Sequence, residues 1–204
     1  MFTGIVEEVG IIQHVVAKED RIDLMIHAKH PDFQNCVVGE SIAVTGVCLT
    51  VTHVLEHAFQ VTIVPETMRV THLGLLKQGS LVNLERSIKA DGRFGGHYMQ
   101  GHVDGVGEII EIKNDGKDAL IIKIQISPDL NKYIVQKGYI GMDGMSLTVI
   151  ETQHNWFSVT LIPHTQQVTI VNQYALGTKV NIEVDILSKY VEKLVGVNQN
   201  AILC

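Results

Sequence analysis

The stretch Gly46-Val47-Cys48-Leu49-Thr50-Val51 returns as Gly144-Met145-Ser146-Leu147-Thr148-Val149, 98 residues later. Pairing Ile42 to Glu85 with Ile140 to Glu183 at that shift gives 44 pairs, 16 of them identical, where chance at ordinary residue usage gives about three. The matches include Phe59 with Phe157, Pro65 with Pro163, Thr67 with Thr165 and Val82-Asn83 with Val180-Asn181. The N-terminus joins at a shift of 97, Gly4, Val6, Val9 and Gly10 pairing with Gly101, Val103, Val106 and Gly107. So long a period exceeds that of solenoid repeats, so each copy is a whole small domain, and two similar domains imply two similar sites.

The 204 residues therefore divide into a first domain over 1–96, a second over 97–185 and a tail over 186–204. Hydrophobic content of 46% against 19% charged residues is enough to build a core in each. A net charge of −6 with scattered Lys and Arg argues against a nucleic-acid surface and for a small-molecule partner. No apolar run approaches a membrane span and no signal core opens the chain, so a cytoplasmic location without membrane contact is expected. Cys36, Cys48 and Cys204 are odd in number and form no CxxC pair, which reads as reduced thiols.

Short alternating runs predict strands at Phe2–Val6, Val9–Val15, Ile22–Ala28, Glu40–Thr45, Cys48–Leu55, Ala58–Val64 and Leu81–Arg86, and the second copy repeats the plan. Many short strands with glycine turns suggest a small antiparallel barrel or sandwich per copy. Short helical pieces are expected after Pro65 and Pro163 and before Gly39 and Gly138, one of them over Asp129–Gln136 behind the Ser127-Pro128 cap. The glycine-rich Asp91–His97 stretch links the copies. In the tail, Ile186, Leu187, Tyr190, Val191, Leu194 and Val195 form one helical stripe, suited either to packing on its own barrel or to subunit assembly.

There is no GxxxxGK loop, strand-borne GxGxxG or HExxH, and only His53 and His57 have an i, i+4 spacing, on a segment that reads as strand and turn. Neither a metal nor a dinucleotide cofactor is expected. Positions kept in both copies, Gly4/Gly101, Thr50/Thr148, Pro65/Pro163 and Thr67/Thr165, suit one ligand held twice in the same way. Positions that differ, Cys48/Ser146, Ile5/His102, Thr45/Asp143 and Glu66/His164, suit equal pockets with unequal jobs. A lone apolar-strand Cys is ordinarily a core residue, but Cys48 has another small polar residue, Ser146, as its repeat mate. His102, beside the Gly101 turn, is a candidate acid or base near neutral pH, whereas His97 and Asp185 read as linker and solvated residues.

These residues resemble riboflavin synthase, of the type built from two lumazine-binding repeats. The likeness rests on the opening Met1-Phe2-Thr3-Gly4-Ile5-Val6, on Gly46–Val51, on Gly95-Gly96-His97 with Gly101-His102-Val103, and on Gly141–Val149. It extends to Pro65-Glu66-Thr67 and to Asn181-Ile182-Glu183-Val184-Asp185. The resemblance implies an all-β chain of two six-stranded Greek-key barrels plus a C-terminal α-helix, associated as a homotrimer through those helices. It also implies a reaction without metal or redox cofactor, in which two 6,7-dimethyl-8-ribityllumazine molecules dismutate to riboflavin and 5-amino-6-ribitylamino-uracil.

By the same resemblance one lumazine lies against Gly4, Ile5, Val6, Cys48, Leu49, Thr50, Thr62, Glu66 and Thr67. The second lies against Gly101, Val103, Lys137, Leu147, Thr148, Thr160, Pro163, His164 and Thr165, and the two meet between barrels of neighbouring subunits. His102 and Cys48 are the expected base and nucleophile, with Ser41, Ser146 and Asp185 orienting groups and relaying protons. Two matters stay open: association with lumazine synthase, and a non-catalytic lumazine- or flavin-binding relative as the alternative function. Thr45 stands where Asn is expected in relatives.

Overall fold

A computed structural model describes residues 1–201, with side chains through Gly196; Cys204 lies outside the described residues. The first copy runs β1 (Glu8–Ala17), β2 (Ile22–His27), α1 (Pro31–Gln34), β3 (Ser41–Val44), β4 (Val47–Leu55), β5 (Ala58–Ile63), α2 (Pro65–Val70), a 3-10 turn at His72–Leu75 and β6 (Leu81–Arg86). The second repeats it as β7 (Gly105–Asp115), β8 (Ala119–Gln125), α3 (Pro128–Asn131), β9 (Tyr139–Met142), β10 (Met145–Gln153), β11 (Trp156–Leu161), α4 (Pro163–Val168), a 3-10 turn at Ile170–Gln173 and β12 (Lys179–Val184). Helix α5 (Ile186–Ala201) follows.

Each copy closes into a six-stranded antiparallel barrel, in the order β1-β2-β5-β4-β3-β6 and, in the second, β7-β8-β11-β10-β9-β12. Closure leaves no unpaired edge. Each barrel bends at bulges in matching places, between Ile12 and His14 and between Val51 and His53 in the first, and between Ile109 and Glu111 and between Val149 and Glu151 in the second. Period-two alternation sends Phe59, Val61 and Ile63 of β5, and Phe157, Val159 and Leu161 of β11, into the two cores, where all six are fully buried. The same alternation turns Cys48, Thr50, Ser146 and Thr148 outward, so the candidate site lies on the outside of the barrels.

Two expectations change. Phe2–Val6 is not a strand of its own barrel: Phe2 forms a bridge with Met99 of the other half, its N–H donating to the Met99 carbonyl (2.8 Å) and its carbonyl accepting from Met99 N–H (3.2 Å). The helix behind Ser127-Pro128 spans only Pro128–Asn131, although Ser127 caps it as expected by accepting from Asp129 N–H. Pro at its first position starts the helix, but 3-10-type bonds from Tyr133 and Ile134 turn the chain away after one turn.

The barrels join through reciprocal bonds between repeat mates, which defines a pseudo-twofold axis. Asn83 donates its amide N–H to the Asp143 carbonyl (2.9 Å) and accepts from Ile170 N–H (2.9 Å). Asn181 mirrors this, donating to the Thr45 carbonyl (2.9 Å) and accepting from His72 N–H (2.9 Å). Both amides are buried. On the axis Gly46 and Gly144 approach so closely that a Cβ on either would meet the other's backbone nitrogen at under 3 Å. Replacing Asn181 with Ala strands the buried Thr45 carbonyl and the part-buried His72 N–H, so Asn181→Ala is expected to lower unfolding free energy by about 2–5 kcal/mol in a denaturant titration. A loss below about 1 kcal/mol would mean that the amide does not hold the barrels together.

Candidate active site

The tight Thr45-Gly46 and Asp143-Gly144 turns deliver β4 and β10 to the axis, all four residues having positive φ. Thr45, at φ 47°, sits where a β-branched residue is strained and Asn would be at ease, and its buried hydroxyl has no hydrogen-bond partner among the described residues. Two residues past each turn stand Cys48 and Ser146, both half-buried. Their backbones are held by the opposite half: Cys48 N–H donates to the Gly101 carbonyl (2.9 Å), and Ser146 N–H donates to the Gly4 carbonyl (2.8 Å). A Cβ on Gly4 or Gly101 would lie 2.6 Å from Cβ of Ser146 or Cys48, so both positions require glycine for contact as well as for φ.

The surroundings then diverge. Ser146 Oγ lies 2.7 Å from His97 Nδ1, and the His97 ring stacks on Tyr139 with centroids 5.0 Å apart. Burial pulls the His97 pKa down, opposed by the charge of nearby Asp185, so the imidazole is neutral near pH 7. Its buried Nε2 has no hydrogen-bond partner among the described residues. Cys48 has a free thiol, and no hydrogen bond joins it to His102, which follows Gly101 as an exposed residue. Asp185 also accepts from Leu187 N–H (3.0 Å) at the start of α5. His97 was not legible as a site residue, because it belongs to the linker and has no repeat mate to be compared with.

Around these centres the barrel exteriors carry matched polar rows. Ser41 pairs with Thr50 across β3 and β4, and Thr62 donates its hydroxyl to Asp23 (2.8 Å). In the second barrel Tyr139 replaces Ser41 opposite Thr148, and Thr160 reaches Asp115 (3.4 Å). Thr67 and Thr165 lie half-buried on α2 and α4, where each backbone carbonyl accepts from the Thr71 or Thr169 hydroxyl (2.6 Å). Beside them Val64 and Ile162, repeat mates, are 50% and 54% exposed, and Pro163, His164 and Lys137 are exposed as well. Glu66 is exposed and paired with Arg69. Ile5 and Ser41 border a cleft of about 700 Å³ that extends along Glu85, Arg86 and the 87–95 linker. Val6 and Val103 are half-buried against the opposite barrels' cores, and Leu49 and Leu147 point inward, supporting the wall rather than lining it. No group of three or more His, Cys, Asp or Glu suited to a metal occurs among the described residues.

On the axis one buried carboxylate breaks the symmetry. Asp143, 1% exposed, accepts from His72 Nε2 (3.0 Å), Asn181 N–H (2.7 Å) and Tyr174 O–H (2.6 Å). Burial depresses the His72 pKa, and Asp143 more than offsets it, leaving it above 6.5. Burial and Asp143 hold the Tyr174 hydroxyl well above its usual range, so it stays protonated as a donor. A raised histidine pKa adds stability that is complete below the unfolded value and lost as pH rises through the folded one. Thermal stability is therefore expected to fall between about pH 6 and pH 8 more steeply in the native chain than in His72→Gln; parallel melting curves would contradict the charged pair.

The chain is similar to known proteins in sequence and in structure. The Lumazine binding domain family matches twice, over residues 3–87 and 100–185, one match per barrel. A crystal structure of LumP complexed with 6,7-dimethyl-8-(1'-D-ribityl) lumazine superposes with a TM-score of 0.81 at 25% identity, covering 90% of this chain and 99% of that one. LumP complexed with riboflavin gives a TM-score of 0.84 over the same shares. The fold is thus that of a duplicated lumazine-binding protein. Riboflavin synthase from Actinobacillus pleuropneumoniae is 45% identical over 193 residues, 95% of this chain and 89% of that protein. Riboflavin synthase from Schizosaccharomyces pombe is 44% identical over 195 residues, 96% and 94% of the two. The chain belongs to the riboflavin synthase family. No helix among the described residues is long and apolar enough to cross a membrane.

Proposed function

We propose that the chain converts two molecules of 6,7-dimethyl-8-ribityllumazine into riboflavin and 5-amino-6-ribitylamino-uracil, one lumazine giving a four-carbon unit to the other. The observation that carries this reading is the pair of matched outward faces. Each has a threonine row, an exposed aliphatic side chain and a glycine-held turn, but one presents Cys48 and the other Ser146 with His97. Equal frames suit two copies of one substrate; unequal centres suit a donor and an acceptor. Threonine hydroxyls and Glu66 fit the ribityl chain, and exposed Val64 and Ile162 fit ring faces.

In this mechanism His102, exposed beside Cys48, takes a proton from the 7-methyl group of one lumazine, whose carbanion is delocalised over the ring. Cys48 adds to, or places water on, the other ring. Ser146, hydrogen-bonded to a neutral His97 on which the charge of Asp185 acts, relays protons, while Ser41 orients the first substrate. Holding both rings in register supplies much of the rate, because a two-molecule encounter becomes a prepositioned one.

The two faces of one chain open outward, so a face-to-face pair of substrates calls for a neighbouring subunit. Helix α5 suits that assembly. It is tied to the second barrel by Glu192 to Lys132 and Tyr133 and by Lys189 to Asp104. Leu187, Tyr190, Val191, Leu194 and Val195 meanwhile remain more than half exposed on its free side. The apolar stripe thus does not pack on its own barrel, and a homotrimer built through α5 is the assembly proposed.

Incubation with 6,7-dimethyl-8-ribityllumazine alone is expected to yield one riboflavin per two lumazines consumed, followed by absorbance, with Cys48→Ser slower by about 10-fold or more. Tight lumazine binding without riboflavin would make the chain a carrier instead. In sedimentation, the double change Leu187→Ser with Val191→Ser is expected to shift a trimer to monomer and to reduce turnover with it. A variant that stays trimeric would remove α5 from the assembly.

A further inference from the structure

Two buried carboxylates do the same thing in each half. Glu183 Oε1 accepts from Gln100 N–H (2.7 Å) and Oε2 from Gly101 N–H (3.0 Å). Its repeat mate Glu85 accepts from Thr3 N–H (2.7 Å) and hydroxyl (3.1 Å) through Oε1, and from Gly4 N–H through Oε2 (3.0 Å). Both are about 5% exposed or less. The segments they clamp are those whose next carbonyls, from Gly101 and Gly4, hold the Cys48 and Ser146 backbones, and whose next side chains are His102 and Ile5. A chain of contacts therefore runs from Glu183 through Gly101 to both Cys48 and His102.

We infer that Glu183 is a positioning residue for the reaction: its ionised carboxylate, taking two consecutive backbone N–H groups, fixes where His102 stands relative to Cys48, as Glu85 fixes Gly4 against Ser146. The inference rests on the functional reading above for the roles of Cys48 and His102. A carboxylate suits this task because it only accepts, so both oxygens serve donors; protonation turns one oxygen into a donor facing a donor and loosens one arm. The two clamps differ in kind. Glu85 has the extra Thr3 hydroxyl, where Gln100 supplies none to Glu183. Burial raises the Glu183 pKa to about 7; the Gln100 and Gly101 amides oppose it, Asp104 adds to it, and Lys189 on α5 lowers it. Burial also raises Glu85, against the amides and hydroxyl of its own segment. The clamp under His102 thus opens near neutral pH, and Lys189 on α5, bonded to Asp104, helps keep it charged.

The test compares the full-length native chain with Glu183→Gln and Glu183→Asp for riboflavin formation across about pH 5.5 to 8.5, together with the Gly101 amide signal followed by 15N NMR. The expected result is kcat lower by about 10- to 100-fold in Glu183→Gln at pH 8 with KM nearly unchanged, since misplacement and not substrate binding is at stake. The native kcat is expected to fall as pH drops through about 7, in step with the Gly101 amide, and Glu183→Gln to lose that limb. Native kcat and an unchanged acid limb in a folded Glu183→Gln would overturn the proposal. Should that variant not fold, a native Gly101 amide that does not titrate near 7 overturns it equally. A native chain that makes no riboflavin refutes the functional reading alone, and the Gly101 amide then decides whether Glu183 clamps the segment.

Discussion

The exchange of hydrogen bonds between the halves is the constraint on which the site depends. Each barrel closes on its own core, but neither completes its own site: the backbone under Cys48 is held by Gly101 of the second half, and that under Ser146 by Gly4 of the first. The asparagines 83 and 181 add a buried amide at each side of the axis, each satisfied by a carbonyl and an N–H of the other barrel. Because a buried amide left unpaired is costly, these bonds admit one relative placement of the barrels and discriminate against sliding. The polarity of the interface is therefore a source of register as much as of stability.

On that symmetric frame the chain places asymmetric chemistry. Asp143 replaces Thr45, and its repeat-unmatched partners His72 and Tyr174 satisfy it. Ser146 has a histidine from the linker, a segment with no counterpart after the second barrel, where α5 starts instead. A duplicated fold can hold two like molecules with like walls, yet a transfer between them requires that one be treated as donor. Linker and helix are where the copies are free to differ without disturbing either closed barrel.

Much of this was legible in the residues. The repeat at 98 predicted two like domains, the alternation predicted a small antiparallel barrel or sandwich in each, and the copy-to-copy differences singled out Cys48, His102 and Asp143 as unlike their mates. The predicted strand at Phe2–Val6 proved to be an inter-barrel bridge, since alternation reports that a segment is extended but not what it pairs with. His97, without a repeat mate, read as a linker residue, and Asn83, Asn181, Glu85 and Glu183 read only as matches between the copies, because their partners lie far off along the chain.

What the sequence by itself determined is local or repeated: fold class, family, the inward and outward faces, and the glycine turns, all set by the chemistry of neighbours along the chain and by comparison of its halves. What only the tertiary structure decided is which distant groups meet, within a half and across the two, and which side chains stay uncovered. That includes the clamp of Glu183 on Gly101, the Ser146–His97 contact, the Asp143 network and the exposure of the α5 stripe. The contacts among these join groups 31 to 82 positions apart at 3.0 Å or less, which no period in the chain encodes, because closing two barrels and setting their mutual orientation happens in space and not along the sequence.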